Sequence, residues 1–183
     1  MLDAYLLWVR QWPLVSAMLQ FALLGTLGDV IAAWLVAGRT HRPFGFRVGL
    51  LKLGKWALLA VPIKLAFIGF PGFVAALGSA GYLPAGKPVL SAFATSLAIN
   101  LQFGPLLVVV HRWLNNGISG QQGWAGLDRG LWSLAWFWLP AHTLSFALPV
   151  DYRIGLAALW SLVLGLILGF SARATSAVRA PAH

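Results

Sequence analysis

The chain has 183 residues, 60% of them hydrophobic and 9% charged, with a mean hydropathy of +0.80. A soluble domain carries about 25% charged residues, so too little polar material is present to coat a water-facing surface, and the composition specifies an integral membrane protein whose length suits one helical bundle. The net charge of +9, from 13 Lys+Arg against 4 Asp+Glu, would suggest nucleic acid in a soluble protein; in so apolar a chain it marks loops facing the cytoplasmic leaflet, and nucleic-acid binding is set aside.

The absence of Cys excludes disulfides, thiol catalysis and thiolate metal sites. The N-terminus has no basic segment ahead of its apolar residues, unlike a signal peptide. Residues 2–12, with Trp8, Arg10 and Trp12, form an amphipathic lead-in suited to the membrane interface.

An all-α bundle of about five transmembrane helices is expected, four being possible if two apolar runs merge or one lies flat. The first span covers 14–36. It carries Gly25, Gly28 and Ala32 at helical spacing, a face that admits another helix closely, and Asp29 deep in the apolar run. Residues 38–47 form a loop, followed by Lys52 and Lys55 on one helix face. The second span, 56–77, holds Lys64 near its middle together with Pro62 and Pro71; proline removes a backbone donor, which predicts a kinked or broken helix.

The third span, 89–110, repeats Ala92, Ser96, Asn100 and Gly104 every four residues, a stripe that must face protein. Gln102 lies beside it, and His111 and Arg112 end it as interfacial anchors. Residues 115–126 are polar and Gly-rich, hence a loop. The fourth span, 131–148, contains Pro140, His142 and Ser145. Pro149 breaks it, and Asp151 and Arg153 cap the corner leading to the fifth span, 154–170. Here Ala157, Ser161, Gly165 and Gly169 again step by four, and such small-residue faces would also suit a second copy of the chain. Residues 171–183 read as a flexible cytoplasmic tail.

With five spans, Arg39, Arg42, Arg47, Lys52, Lys55, Arg112, Arg129, Arg173 and Arg179 fall on one side, and Arg10, Lys87 and Arg153 on the other. The positive-inside rule then places the C-terminus in the cytoplasm.

Asp29 and Lys64 are the sharpest candidates, since each would cost about 2.5–3.5 kcal/mol at a helix centre. They either line a polar pathway in which Lys64 meets an anionic solute, or form a structural Asp–Lys pair, or Lys64 snorkels to the interface. Asn100 and Gln102 extend the pathway or bond helix to helix. His142 bonds a carbonyl freed by Pro140 or faces a lumen. Enzyme signatures are missing: there is no Glu, the Asp residues are scattered, and no two His share a helix face. Neither catalysis, a metal nor a cofactor is expected.

Residues 27–32 read L-G-D-V-I-A, 123–129 read G-W-A-G-L-D-R, and 138–153 read W-L-P-A-H-T-L-S-F-A-L-P-V-D-Y-R, ahead of an apolar run with Trp160. Together these resemble the Mpv-seventeen/peroxisomal-membrane-protein-twenty-two family, over about half the chain. Gly28, Asp29 and Ile31 match that family's first-span motif, and Pro140, Phe146, Pro149, Tyr152 and Arg153 its C-terminal one. The family's polar Gln and Asn in the fourth span are replaced near His142 and Ser145, and its second-span motif has no counterpart. The resemblance implies a small multi-span protein acting as a channel for metabolites, with the lipid bilayer and a small solute as its partners. The Ala/Leu/Gly/Arg-rich composition suits a bacterial inner membrane. The leading expectation is therefore a channel or carrier for small, anionic solutes; the rival is a non-conducting scaffold or assembly subunit that binds partner helices.

Overall fold

The computed structural model describes residues 2–83, 87–120, 123–124 and 126–179, with side chains to residue 167. Its elements among these are helical: α1 (Leu2–Gln11), α2 (Pro13–Ala37), α3 (Phe46–Ser79), α4 (Pro88–Gln102), α5 (Gly104–Ser119), α6 (Leu127–Ser133), a π-helical turn (Leu134–Trp138), α7 (Leu139–Ala147) and α8 (Val150–Arg179). Three helices are long and apolar enough to cross a membrane, α2, α3 and α8 over 150–167; the bent pair α4–α5 makes a fourth if taken as one span. In their most apolar windows only 33%, 33% and 17% of residues are buried within the protein. Their hydrophobic side chains face outward, as a lipid solvent requires.

The expected boundaries shift at several points. α2 matches 14–36 closely, and Gly38 ends it with φ 67°, the left-handed conformation that glycine adopts freely. α3 begins at Phe46 rather than 56, because lysines interrupt hydropathy but not helix formation; Lys52 and Lys55 thus belong to it. Pro62 and Pro71 both lie inside α3, which continues through them. The third span is divided, with α4 and α5 meeting at 48° around Phe103. Pro105 lacks the amide hydrogen an unbroken helix would need. α5 then runs on through the expected loop to Ser119.

Residues 127–147 stay helical without interruption, but in three segments. The middle one is a π turn in which the Leu139 amide donates to the Leu134 carbonyl, five residues back, just ahead of Pro140. A proline ring crowds the carbonyl four residues before it, and a widened turn relieves that. Ser171–Arg179, expected as a flexible tail, continue α8; residues 180–183 lie outside the described part.

Close backbone approach organises the packing. A side chain on Gly28 would sit 3.3 Å from the Leu162 Cα, and one on Gly165 would sit 3.2 Å from the Gly28 carbonyl oxygen. Nearer the other end, Gly155 faces Tyr5 and Gln20. Contacts therefore rise in step along both chains, so α2 and α8 run parallel. Gly25 leaves room for the Trp56 ring, and with Asp29 reaching Lys52 this fixes α3 antiparallel to α2. The run 127–147 lies antiparallel to α4–α5: Gly130 abuts Val108, Gly104 abuts Leu134, and Ser96 bonds the Leu139 carbonyl. The core between these layers holds Phe21, Leu59, Phe67, Ile99, Phe146 and Ile154.

The small-residue faces offered for a second copy are thus used within the chain: Ala157 and Ala158 are buried, as are Ala92 and Ser96. A leucine at Gly28 is expected to cost about 1–3 kcal/mol through overpacking, whereas at Gly69, which has open space around it, it should cost nothing. Thermal unfolding of the two variants in detergent checks this.

Candidate functional site

The charged side chains of the described residues converge around Asp29 rather than around Lys64. Asp29 lies on α2 opposite the N-terminal half of α3, where its Oδ2 accepts from Lys52 Nζ at 3.0 Å, Lys55 Nζ at 3.3 Å and Trp56 Nε1 at 3.4 Å. α5 closes the cluster. Lys55 Nζ sits 3.2 Å from His111 Nε2, and Lys52 Nζ donates to Asn115 Oδ1 at 3.4 Å. Lysine has no acceptor, so His111 Nε2 accepts and the ring's hydrogen is on Nδ1. Aromatic faces complete the cage: Lys55 Nζ is 4.6 Å from the Trp56 ring centroid, Lys52 Nζ is 5.3 Å from that of Phe44, and Trp56 stacks obliquely on His111 at 4.9 Å.

Two ammonium groups share one carboxylate oxygen here. The Lys55 side chain is 1% exposed, that of Lys52 16% and that of Asp29 22%. The cluster is therefore sealed behind Lys55 and open on the side of Lys52.

Lys64 cannot form the expected pair with Asp29. It lies eight residues beyond Trp56, about 12 Å further along α3 at about 1.5 Å per residue. It is 7% exposed and makes no hydrogen bond or ion pair among the described residues. Asp151, at the start of α8, is held by Arg10 at 2.7 Å.

Asn100 and His142 come together in a second, separate polar cluster between α4 and α7. Asn100 Nδ2 donates to the Ser96 carbonyl at 2.8 Å and faces His142 Nδ1 at 3.2 Å. The Ser96 carbonyl can only accept, so the amide nitrogen must point this way, and His142 Nδ1 is the acceptor. His142 lies against Trp138 at 4.9 Å and Phe67 at 5.4 Å between ring centroids. It does not bond a freed carbonyl, as the sequence suggested. The hydroxyls of Ser96 and Thr143 take the Leu139 carbonyl, each at 2.7 Å. Asn100 Oδ1 is buried without a partner. Gln102 does not join this cluster: it is exposed at the end of α4.

The motif residues of the C-terminal part hold the corner. Arg153 donates from Nε to the Leu148 carbonyl at 2.9 Å and lies over the Phe146 ring. The Tyr152 amide donates to the Pro149 carbonyl, and Trp160 Nε1 donates to Ser145 Oγ at 3.2 Å. Asp151 reaches α1 through Arg10 rather than capping the corner locally.

Sequence reasoning singled out Asp29 but missed Lys52, Lys55 and His111 as its partners. The signal was present in two spacings, 52/55 and 111/115, each placing both residues on one helix face. Among the described residues no three of His, Cys, Asp and Glu converge in a way that would hold a metal. A surface cavity of about 400 Å³ beside Tyr5 and Tyr152, and one of about 490 Å³ beside Ser79 and Lys87, touch neither the Asp29 cluster nor the Asn100–His142 cluster. Comparison of the chain with protein-family models, curated proteins and solved structures finds no match.

Removing one partner of a buried ion pair costs about 3–5 kcal/mol because the other charge is stranded. Asp29→Asn is expected to lower the unfolding midpoint strongly, while Lys64→Met, which breaks no bond, leaves it unchanged or higher. Thermal melts of both variants in the same detergent check this.

Proposed function

We propose that this is an inner-membrane protein of five spans that carries or conducts small anionic solutes, and that the anion is taken at Lys52 and Lys55 beside Asp29 and His111, not at Lys64. The observation that supports this is the local charge imbalance: two buried or half-buried ammonium groups against one carboxylate, with a neutral histidine accepting from one of them. Away from water an uncompensated charge is expensive, and an anion entering beside Lys52 would remove the imbalance. The cluster is built on α2, α3 and α5, so a solute bound there touches three helices at once.

The direction of the helices supports five crossings. α2 and α8 are parallel, so an odd number of crossings separates them. α3 supplies one, and α4–α5 with the antiparallel run 127–147 supply two more. Four crossings would leave α2 and α8 antiparallel. With five, the positive charges of the 38–45 loop and of α8 beyond the membrane lie on one side, which is the cytoplasm by the positive-inside rule. The Asp29 cluster, close to that loop, then opens toward the cytoplasmic leaflet. The Ala/Leu/Gly/Arg-rich composition supports a bacterial inner membrane.

One observation favours the scaffold reading: Asp29 is already paired. Against it stands the burial of Gly28, Ala92, Ser96 and Ala157 between helices of the same chain.

Anion flux from liposomes loaded with chloride or phosphate separates the readings. The wild type should conduct, Lys55→Gln should lower flux at least tenfold, and Lys64→Leu should leave both flux and selectivity unchanged. No flux from folded wild-type protein would favour the scaffold; loss of selectivity in Lys64→Leu would return the site to Lys64.

A further inference from the structure

We infer that Asp29 is a built-in competitor for the anion: its Oδ2 occupies the position a solute oxygen takes, and Lys52 is the arm that exchanges one for the other. This rests on the anion-site reading above.

The two lysines differ in how firmly they are held. Lys55 is enclosed, with Asp29, His111 and the Trp56 face around its ammonium group. Lys52 is closer to Asp29 but sits at the open side, and its other polar partner is the amide oxygen of Asn115 at 3.4 Å, a long contact. An ammonium group has three hydrogens, so Lys52 has one to offer beyond these two bonds. An oxyanion arriving from the open side meets that hydrogen first. It then competes with Asp29 for both lysines, because both ammonium groups converge on one carboxylate oxygen. Trp56 Nε1, which donates to that same oxygen, is a third donor the newcomer inherits.

The exchange requires no change in the helices. Asp29 is 22% exposed and keeps access to water once released, while Lys55 retains His111. A phosphate or carboxylate on a free solute fits, and so does the phosphate of a lipid headgroup; both offer oxygen acceptors to ammonium donors. Asp29 makes the empty site electrically tolerable and weakens the anion's hold, so that a bound solute can leave again.

The test is anion rescue. Purified wild type, Asp29→Asn and Lys52→Gln are melted in detergent while inorganic phosphate is titrated, with choline chloride matching the ionic strength and short-chain phosphatidylglycerol titrated separately. A ligand that binds only the folded state raises the melting temperature. In Asp29→Asn, phosphate should restore much of the lost stability, with half-saturation at least tenfold below that of the wild type. In Lys52→Gln, where Asp29 keeps Lys55 to itself, the phosphate response should weaken at least tenfold. Should Asp29→Asn not fold even in phosphate, Lys52→Gln decides alone, and an unchanged response there overturns the inference. Wild type stabilised by phosphate with no tightening in Asp29→Asn overturns the competitor role and leaves the anion site standing. No response in any variant overturns both. Tightening seen only with the lipid keeps the exchange but assigns it to a headgroup and removes the solute.

Discussion

The contact between the backbones of α2 and α8 at Gly28 is the constraint on which the rest depends. A side chain at Gly28 or Gly165 would push the two backbones apart by a few tenths of an ångström. Because successive residues of a helix are turned by about 100°, fixing Gly28 toward α8 aims Asp29 away from it. There it meets α3, whose own position is set by Trp56 lying in the space Gly25 leaves. Packing without side chains on one face of α2 thus delivers a carboxylate to two lysines and an indole on the next.

Around that carboxylate the protein resolves one electrostatic problem and leaves another open. Burying Lys55 is tolerable only with a counter-charge and satisfied hydrogens, which Asp29, His111 and Trp56 supply. Lys52 uses the same oxygen, and the cluster ends with more positive than negative charge. The second polar cluster, at Asn100 and His142, is neutral by comparison. It ties α4 to α7 where both depart from regular α-helix, α4 at its junction with α5 and α7 at the π turn and Pro140. That makes it part of the framework, and its bonds run largely to backbone carbonyls.

Much of the helical layout was legible in the apolar runs, because membrane spans must satisfy their own backbone and advertise it by length. Where charged residues interrupt the hydropathy, the apolar runs do not mark the helix ends. Lys52 and Lys55 were legible as one face of a helix, but the apolar run that starts at Trp56 left them outside the second span, whereas α3 is continuous from Phe46. Pro62 and Pro71 stay inside α3 without ending it, while Gly104–Pro105 coincides with the bend between α4 and α5. Asp29 was legible as a buried charge. Its partners were not, since pairing depends on how two helices are staggered, and Lys64 differs from Lys55 in that respect rather than in any local feature. Lys64 is buried and has no polar partner among the described residues, whereas the lysines nearer the charged loop converge on Asp29.

The measurement that tests the central claim most directly is the nitrogen NMR of the lysine side chains, with ¹⁵N-labelled lysine, in protein titrated with inorganic phosphate. The account predicts that the Lys52 Nζ resonance, assigned by its loss in Lys52→Gln, moves saturably while that of Lys64 stays in place. A saturable movement at Lys64 with Lys52 unchanged would contradict it and return the anion to the isolated lysine of α3.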